Sequence, residues 1–222
     1  MKLCVCLGSD WQKQWPIYIT KSDLLELRID LMFPNGATAS QILDALNPIL
    51  TQHPRNLILT CRPTAISQEL RHTLFLSILP FCPAYLDLEH DTPPCFRISL
   101  HAVAQKSTTR IITSYHNFEG TPELSLLHTI TSDALLNGAH LVKIVTLCQD
   151  PWDEARLLSL YKESGFANKI VAFGFGRFAL TSRLHAAALG APLLYVAPDN
   201  GATTAPGQPR FTQFQEHLMN IL

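Results

Sequence analysis

The sequence predicts a single-domain (β/α)₈ barrel (TIM barrel) that spans residues 1–222. Eight short apolar runs recur along the chain, each bounded by turn residues, and most are separated by segments long enough for a helix. Alternating strands and helices favour a parallel sheet with helical crossovers. Eight repeats within 222 residues lie near the lower end of the length range of a closed barrel.

The strand candidates are the apolar runs, taken in chain order. They cover residues 2–7, 24–30, 56–62, 84–89, 110–115, 140–146, 169–173 and 192–197. Helices are predicted where apolar residues follow helical spacing. They cover residues 38–50, 67–79, 122–136, 151–163, 178–189 and 208–222. The short segment 11–21 contains Pro16, which disfavours a helix there.

An open doubly wound sheet is the alternative arrangement of the same elements. Such a sheet more often carries a glycine-rich phosphate loop after its first strand. Here the first run ends in Leu7, Gly8 and Ser9, without a GxGxxG or P-loop pattern. The lone pair Gly174 and Gly176 is interpreted as a tight turn between a strand and a helix.

The composition excludes several classes of function. Hydrophobic residues make up 47% of the chain and charged residues 16%, which is not typical of a disordered protein. The net charge of −1 provides no basic surplus for nucleic acid or anionic lipid, and no apolar run is long enough to span a bilayer. Six cysteines without a CxxC pair indicate buried thiols in a reducing compartment, so we predict a cytoplasmic protein without a zinc site.

Charged residues inside the run 24–30 are the first indication of a site. Strand alternation places Glu26, Arg28 and Asp30 on one face and apolar side chains on the other. An exposed antiparallel strand would show the same pattern, so both interpretations stay open from this run alone. In a barrel neither face is open to water, and the three charges would have to pair with one another or serve a ligand.

Polar residues interrupt or end other runs as well. Arg62 ends the third run, Asp87 and Glu89 share a face of the fourth, His116 follows the fifth and Lys143 lies in the middle of the sixth. Barrel enzymes build their active sites at the carboxyl ends of the strands. The pattern therefore predicts an active site at that end of the barrel.

Lys143 and His116 are the strongest candidates for chemistry. Burial between Val142 and Ile144 would lower the pKa of Lys143, and a neutral amine attacks carbonyl carbon to form an imine. His116 is a natural general base. A lysine that extends to the sheet rim and a histidine in a polar loop capped by Asn117 are the structural alternatives. Together, the two residues suggest an imine-forming lyase or aldolase.

Seven short motifs resemble a known family when they are taken in order. They are ELRID at 26–30, LTCR at 59–62, DLE at 87–89, SYHNF at 114–118, VKI at 142–144, SR at 182–183 and APGQ at 205–208. Their order and spacing resemble those of type I 3-dehydroquinate dehydratase, over nearly the whole chain. The resemblance implies a (β/α)₈ barrel that dehydrates 3-dehydroquinate to 3-dehydroshikimate in the shikimate pathway, without a metal or a dissociable cofactor.

The resemblance also implies roles for single residues. Lys143 would form a Schiff base with the C3 ketone, and His116 would take a proton from C2 and return it to the departing C1 hydroxyl. Arg183 would hold the substrate carboxylate. The resemblance implies five further substrate-binding residues. Two lie in a loop that closes over the ring, and three bind ring hydroxyls and orient the lysine. These are Thr204 and Gln208 in the loop, and Glu26, Arg28 and Arg62 around the lysine. Arg28 and Arg62 would also depress the pKa of Lys143.

Four features depart from the family, one of which is Thr204, which stands in place of the serine of the family's loop and keeps the hydroxyl. Many members carry a glutamate four residues after the arginine that aligns with Arg62, and here that position is Ile66. We therefore expect the acidic partner of the histidine to be missing or displaced, with Glu69 as a candidate substitute. Cys6 aligns with a serine near the substrate. The N-terminal capping hairpin that covers the barrel floor in some members is also absent from the predicted elements.

Two other functions remain open from the sequence. Another Schiff-base-forming barrel enzyme of the class I aldolase type would not need Arg183 and Gln208, and a non-catalytic barrel module would not need Lys143 and His116. The partners expected from the resemblance are the small-molecule substrate, a second copy in a homodimer, and a shikimate dehydrogenase, fused or associated. Neither nucleic acid nor a membrane is expected.

Overall fold

The barrel is built from eight parallel strands. The computed structural model describes residues 1–34, 36–63 and 66–220. The strands are Lys2–Leu7 (β1), Leu24–Arg28 (β2), Leu57–Thr60 (β3), Tyr85–Glu89 (β4), Arg110–Asn117 (β5), Leu141–Leu147 (β6), Ile170–Phe175 (β7) and Leu193–Val196 (β8). All eight predicted strands are confirmed, with ends that shift by a few residues. None of the described strands forms a hairpin across the barrel floor.

Helices follow the strands and cover the outside of the barrel. They are Trp11–Tyr18 (α1), Ile29–Met32 (α2), Ala39–Gln52 (α3), Gln68–Ile78 (α4), Pro94–Ala104 (α5), Leu124–Leu136 (α6), Pro151–Leu158 (α7), Ala179–Ala188 (α8) and Phe211–Met219 (α9). No helix in the described part of the chain is long and apolar enough to cross a membrane.

Three helices differ from the prediction, and one of them, α2, includes Ile29 and Asp30 from the end of the predicted strand 24–30. The segment 11–21 does contain a helix, α1, with Pro16 inside it. A proline in this position removes one backbone hydrogen bond, and burial of Trp11 and Tyr18 against the barrel offsets that loss. The helix α5 was not predicted from the sequence, and only Leu100 and Ala104 of its residues are buried.

The strand pairing distinguishes a barrel from an open sheet. The strands lie in the order β7-β6-β5-β4-β3-β2-β1-β8, so β1 pairs with both β2 and β8. In register, Cys6 lies opposite Glu26, and Lys2 lies opposite Leu193. The last strand therefore returns to the first, and the open doubly wound alternative is wrong.

The seam between β7 and β8 is joined by a side chain. No backbone ladder connects these two strands among the described residues. Arg183, from α8, donates from Nε to the carbonyl of Tyr195 in β8 at 3.0 Å and from Nη1 to the carbonyl of Gly174 in β7 at 3.4 Å. The guanidinium therefore satisfies carbonyls on both sides of the seam.

Strand β2 shows how the sequence pattern positions the site. Leu25 and Leu27 are fully buried, and Glu26 and Arg28 are 3% and 5% exposed. Both neighbours of β2 run parallel to it, which rules out an exposed antiparallel strand. Since parallel strands end at the same edge, the alternate residues of all strands converge inside the barrel.

Candidate active site

A cavity opens at the carboxyl ends of the strands. The empty space in and above it measures about 440 Å³, a figure that includes open solvent. All eight residues predicted for the site line it, namely Glu26, Arg28, Arg62, His116, Lys143, Arg183, Thr204 and Gln208. Cys6, which the alignment placed near the substrate, lines it as well.

Lys143 lies inside the barrel and is 3% exposed. Its Nζ donates to Asp87 Oδ2 at 2.8 Å and contacts Glu26 Oε1 at 3.4 Å. The same nitrogen lies 4.4 Å from the centre of the Tyr195 ring. The alternative in which this lysine extends to the rim of the sheet is therefore wrong.

The predicted depression of the pKa of Lys143 is also wrong. Burial and the charge of Arg62 do lower it, but Asp87 and Glu26 outweigh them and raise the pKa above its usual value. Arg28 cannot act as a free positive charge on the lysine, because its Nε and Nη2 pair with Asp30 at 3.0 and 2.7 Å. Lys143 is therefore a paired ammonium group in the structure.

The two carboxylates beside Lys143 are held by hydroxyl groups. Ser114 Oγ donates to Asp87 Oδ1 at 2.5 Å, and Thr60 Oγ1 donates to Glu26 Oε1 at 2.8 Å. Burial alone would raise the pKa of Glu26, but the charges of Lys143 and Arg28 outweigh it and lower this pKa to about 2. Glu26 thus remains ionised, and both acids are aimed at the amine.

His116 contacts an acid and an arginine through its two ring nitrogens. Nδ1 lies 3.0 Å from Glu89 Oε2, and Nε2 lies 2.6 Å from Arg62 Nη2. Burial lowers the pKa of His116 well below its usual value, and the charges of Arg62 and Lys143 lower it further. The ring is therefore neutral near neutral pH and can accept a proton.

Arg183 is a buried cation with no acidic partner among the described residues. It is 1% exposed, and its guanidinium lies 4.1 Å from the centre of the Phe173 ring. Burial lowers its pKa to about 10. Its hydrogen bonds engage Nε and Nη1, with Nη1 also donating to the carbonyl of Ala179 at 2.6 Å. A buried charge of this kind favours an anionic ligand in the cavity.

The loop after β8 carries Thr204 and Gln208 to the cavity. The amide of Gln208 accepts from the Thr204 backbone at 3.0 Å and from its hydroxyl at 3.1 Å. Gly207 has a φ of +69°, and a Cβ at this position would lie 2.7 Å from the carbonyl of Gly176. Only glycine therefore lets the loop pack so closely against the turn that follows β7.

Known proteins similar to this chain identify its family. The model of the family described as type I 3-dehydroquinase matches residues 4–221. A 3-dehydroquinate dehydratase from Pyrococcus abyssi is 32% identical over 195 residues, which cover 85% of this chain and 83% of that protein. The chain belongs to the type I 3-dehydroquinase family. Another 3-dehydroquinate dehydratase, from Pyrobaculum aerophilum, is 38% identical over 141 residues, or 64% of this chain and 44% of that protein.

Solved structures of 3-dehydroquinases share the fold. A type I 3-dehydroquinate dehydratase from Clostridium difficile, solved with covalently modified comenic acid, has a TM-score of 0.82 at 22% identity, covering 99% of this chain and 92% of that one. A 3-dehydroquinate dehydratase from Geobacillus kaustophilus has a TM-score of 0.86 at 17% identity, with 99% and 90% covered. These similarities confirm the predicted (β/α)₈ barrel.

The main departure from the type I 3-dehydroquinase pattern changes which acid contacts the histidine. Ile66 is 3% exposed and packs in the hydrophobic core. Glu69 lies exposed in the first turn of α4, so its selection as the substitute is wrong. The carboxylate against His116 is Glu89, at the end of β4. The acidic partner is thus displaced to a neighbouring strand.

Several residues of the candidate 3-dehydroquinase site were not predicted from the sequence. Asp87 was placed on one face with Glu89, yet its contact with Lys143 was not predicted. The polar residues Thr60, Ser114 and Tyr195 were not selected at all. Strand alternation could have indicated these residues, because each of them points into the barrel from its strand. Alternation alone does not show which strands face each other across the lumen.

Proposed function

We propose that this protein dehydrates 3-dehydroquinate to 3-dehydroshikimate, with Lys143 as the Schiff-base lysine and His116 as the general acid and base. The proposal rests on three groups that lie together in the cavity. A buried lysine amine, a neutral imidazole and a guanidinium without an acidic partner among the described residues line a single cavity. Schiff-base chemistry is characteristic of the type I family to which the chain belongs.

The lysine must first lose its proton. Asp87, at 2.8 Å from Nζ, is the nearest acceptor. The amine then adds to the C3 carbonyl carbon, and the resulting carbinolamine loses water to form a protonated imine. Because this imine is a better electron sink than the ketone, it acidifies the neighbouring C2 hydrogen.

His116 then moves one proton twice. Nε2 takes the proton from C2, and the electron pair of the C–H bond forms an enamine. The enamine expels the C1 oxygen, which leaves as water with the proton from the imidazolium, and hydrolysis of the imine releases the product and the amine. Arg62 Nη2 lies 2.6 Å from His116 Nε2, where it donates to the lone pair of that nitrogen. Arg62 must therefore move aside before Nε2 can take the C2 proton.

Substrate recognition follows from the charges around the cavity. Arg183 binds the substrate carboxylate, because a planar guanidinium matches two carboxylate oxygens. Thr204 and Gln208 close over the ring, exchanging their mutual hydrogen bonds for bonds to the substrate. Glu26, Arg28 and Arg62 bind ring hydroxyls, and Glu26 also orients the lysine.

Borohydride trapping tests the Schiff base directly. The protein is incubated with 3-dehydroquinate, reduced with sodium borohydride, digested and analysed by mass spectrometry. We expect a stable adduct on Lys143 that does not form without substrate. Turnover without any adduct, or an adduct on another lysine, would overturn the assignment.

The alternative functions give different results in the same assay. An aldolase-type barrel enzyme would form an imine with other carbonyl compounds and would not release 3-dehydroshikimate. A non-catalytic module would give neither adduct nor product. The presence of both Lys143 and His116 in the cavity favours the dehydratase over the module.

Further expectations concern assembly and location. A structure from S. pombe holds a dehydroquinate dehydratase and a shikimate dehydrogenase, and this chain covers 45% of it at a TM-score of 0.81 and 18% identity. That precedent supports a fusion or an association with shikimate dehydrogenase. A homodimer and a cytoplasmic location stay predictions that size measurement and fractionation would test.

The variant Arg183→Lys tests the carboxylate site. Lysine keeps the positive charge but loses the planar fork, so we expect KM for 3-dehydroquinate to rise about 10–100-fold with a smaller change in kcat. The carbonyls of Tyr195 and Gly174 also lose a donor across the β7–β8 seam. The free energy of unfolding should therefore fall by about 1–3 kcal/mol. Steady-state kinetics and denaturant unfolding measure both effects. The exposed Arg177→Lys is the matched control, and an unchanged KM for Arg183→Lys would contradict the assignment.

A further inference from the structure

Glu89 joins the proposed base to an arginine of the cavity. Its Oε2 lies 3.0 Å from His116 Nδ1, and its Oε1 lies 3.3 Å from Arg62 Nε. The side chain is 13% exposed. Burial raises its pKa, while Arg62 and Lys143 oppose that rise. The family resemblance implied no role for Glu89, although the residue belongs to the motif DLE at 87–89.

The contacts of His116 determine which ring nitrogen carries the hydrogen. Arg62 Nη2 can only donate, so Nε2 of His116 must accept at 2.6 Å. A neutral imidazole that accepts at Nε2 carries its hydrogen on Nδ1. Nδ1 therefore donates to Glu89 Oε2. This tautomer leaves the Nε2 lone pair as the site that can take a proton once Arg62 moves.

The other carboxylates near the cavity are committed elsewhere. Asp87 binds Lys143 and Ser114, Glu26 contacts Lys143 and Thr60, and Asp30 pairs with Arg28. Among the described residues, Glu89 is the one carboxylate within ion-pair distance of His116. When the His116 ring takes up a proton during the reaction, it becomes positively charged. The Glu89 carboxylate beside Nδ1 would then stabilise that charge.

The strand register explains why β4 can supply the acid. Glu89 lies opposite Ser114 in β5, and His116 follows two residues later on the same face of that strand. A carboxylate at the end of β4 thus reaches the imidazole of the next strand directly, while Arg62, which follows β3, contacts both partners. The contact depends on two adjacent strands, which hold both partners more rigidly than a loop would.

We propose that Glu89 is a positioning residue that fixes the tautomer and orientation of His116 and stabilises the imidazolium formed during dehydration. The inference rests on the proposed function, since it requires His116 to be the base. The proton transfer proposed above is unchanged. Nε2 of His116 takes the C2 proton, and Nδ1 keeps the hydrogen that it donates to Glu89.

The variant Glu89→Gln tests the proposal. Glutamine keeps the shape but removes the charge, and its amide can donate as well as accept, so it no longer enforces one tautomer. We expect kcat to fall about 10–100-fold while KM changes less than about threefold, in line with the loss of an orienting partner. The isotope effect for substrate deuterated at C2 should rise, because the proton transfer becomes slower. Asp91→Asn, an exposed acid two residues further on, is the charge-matched control and should match the wild type.

A double-mutant cycle separates positioning from a structural effect. If Glu89 acts through His116, Glu89→Gln should cause little further loss in a His116→Ala background. Equal losses in both backgrounds, or an unchanged kcat in the single variant, would overturn the proposal. Glu89→Asp, which keeps the charge but shortens the reach, enters the same cycle should Glu89→Gln not fold. A His116→Ala variant with wild-type turnover would instead contradict the proposed function itself.

Discussion

Replacing Lys143 with methionine is expected to abolish dehydration of 3-dehydroquinate, with a loss on the order of 10⁴-fold or more in kcat. Methionine is similar in length but cannot form an imine, so the C2 hydrogen is no longer acidified. No other lysine lines the cavity among the described residues. Formation of the conjugated product, followed by ultraviolet absorbance, measures the loss, and the borohydride adduct should vanish with it.

The same substitution affects folding, and the experiment must allow for that. Without Lys143, the buried Asp87 and Glu26 lose their counter-charge, and breaking such a pair typically costs about 3–5 kcal/mol. Lys143→Arg retains a positive charge and still cannot form an imine under these conditions, so it should be inactive while more stable. The exposed Lys106→Met is the control with full activity. Turnover in a folded Lys143→Arg variant would refute the Schiff base.

Replacing His116 with alanine is expected to lower kcat about 10²–10⁴-fold, the usual contribution of a general acid and base. The substrate should still reach Lys143, so borohydride should trap an adduct, although more slowly. The reason is that imine formation depends on the lysine, whereas C2 deprotonation and C1 protonation depend on Nε2. Single-turnover kinetics and adduct mass spectrometry distinguish the two steps.

A half-buried histidine outside the cavity provides the comparison for this variant. His128 lies in α6, with Nε2 at 3.7 Å from Glu163, and does not line the cavity. His128→Ala should keep wild-type kinetics. If His116→Ala kept them too, another residue would have to be the base.

The pattern of the eight strands could be predicted because it depends on local spacing. Apolar runs that alternate with helical segments specify a parallel sheet, and Glu26, His116 and Lys143 are polar residues where barrel strands should be apolar. The motifs then selected eight residues, and all of them line one cavity. Convergence follows from the fold itself, since parallel strands end at one edge.

The charge state of Lys143 could not be predicted in the same way. Its partners, Asp87 and Glu26, lie 56 and 117 residues away in the chain. Strand alternation shows that all three side chains point inward, but only closure of the barrel determines which of them meet. The expectation of a lowered pKa counted the arginines and omitted these carboxylates, which determine the sign of the shift.

The sequence alone determined the architecture and the family resemblance and predicted the amine and the imidazole, because these depend on spacing along the chain and on residue type. The tertiary structure decided the pairing of charges inside the barrel. It placed Glu89 rather than Glu69 against His116, and it set Arg183 across the β7–β8 seam. The physical reason is that electrostatic energy depends on distances of a few ångströms, and those distances arise only when distant strands close into a ring.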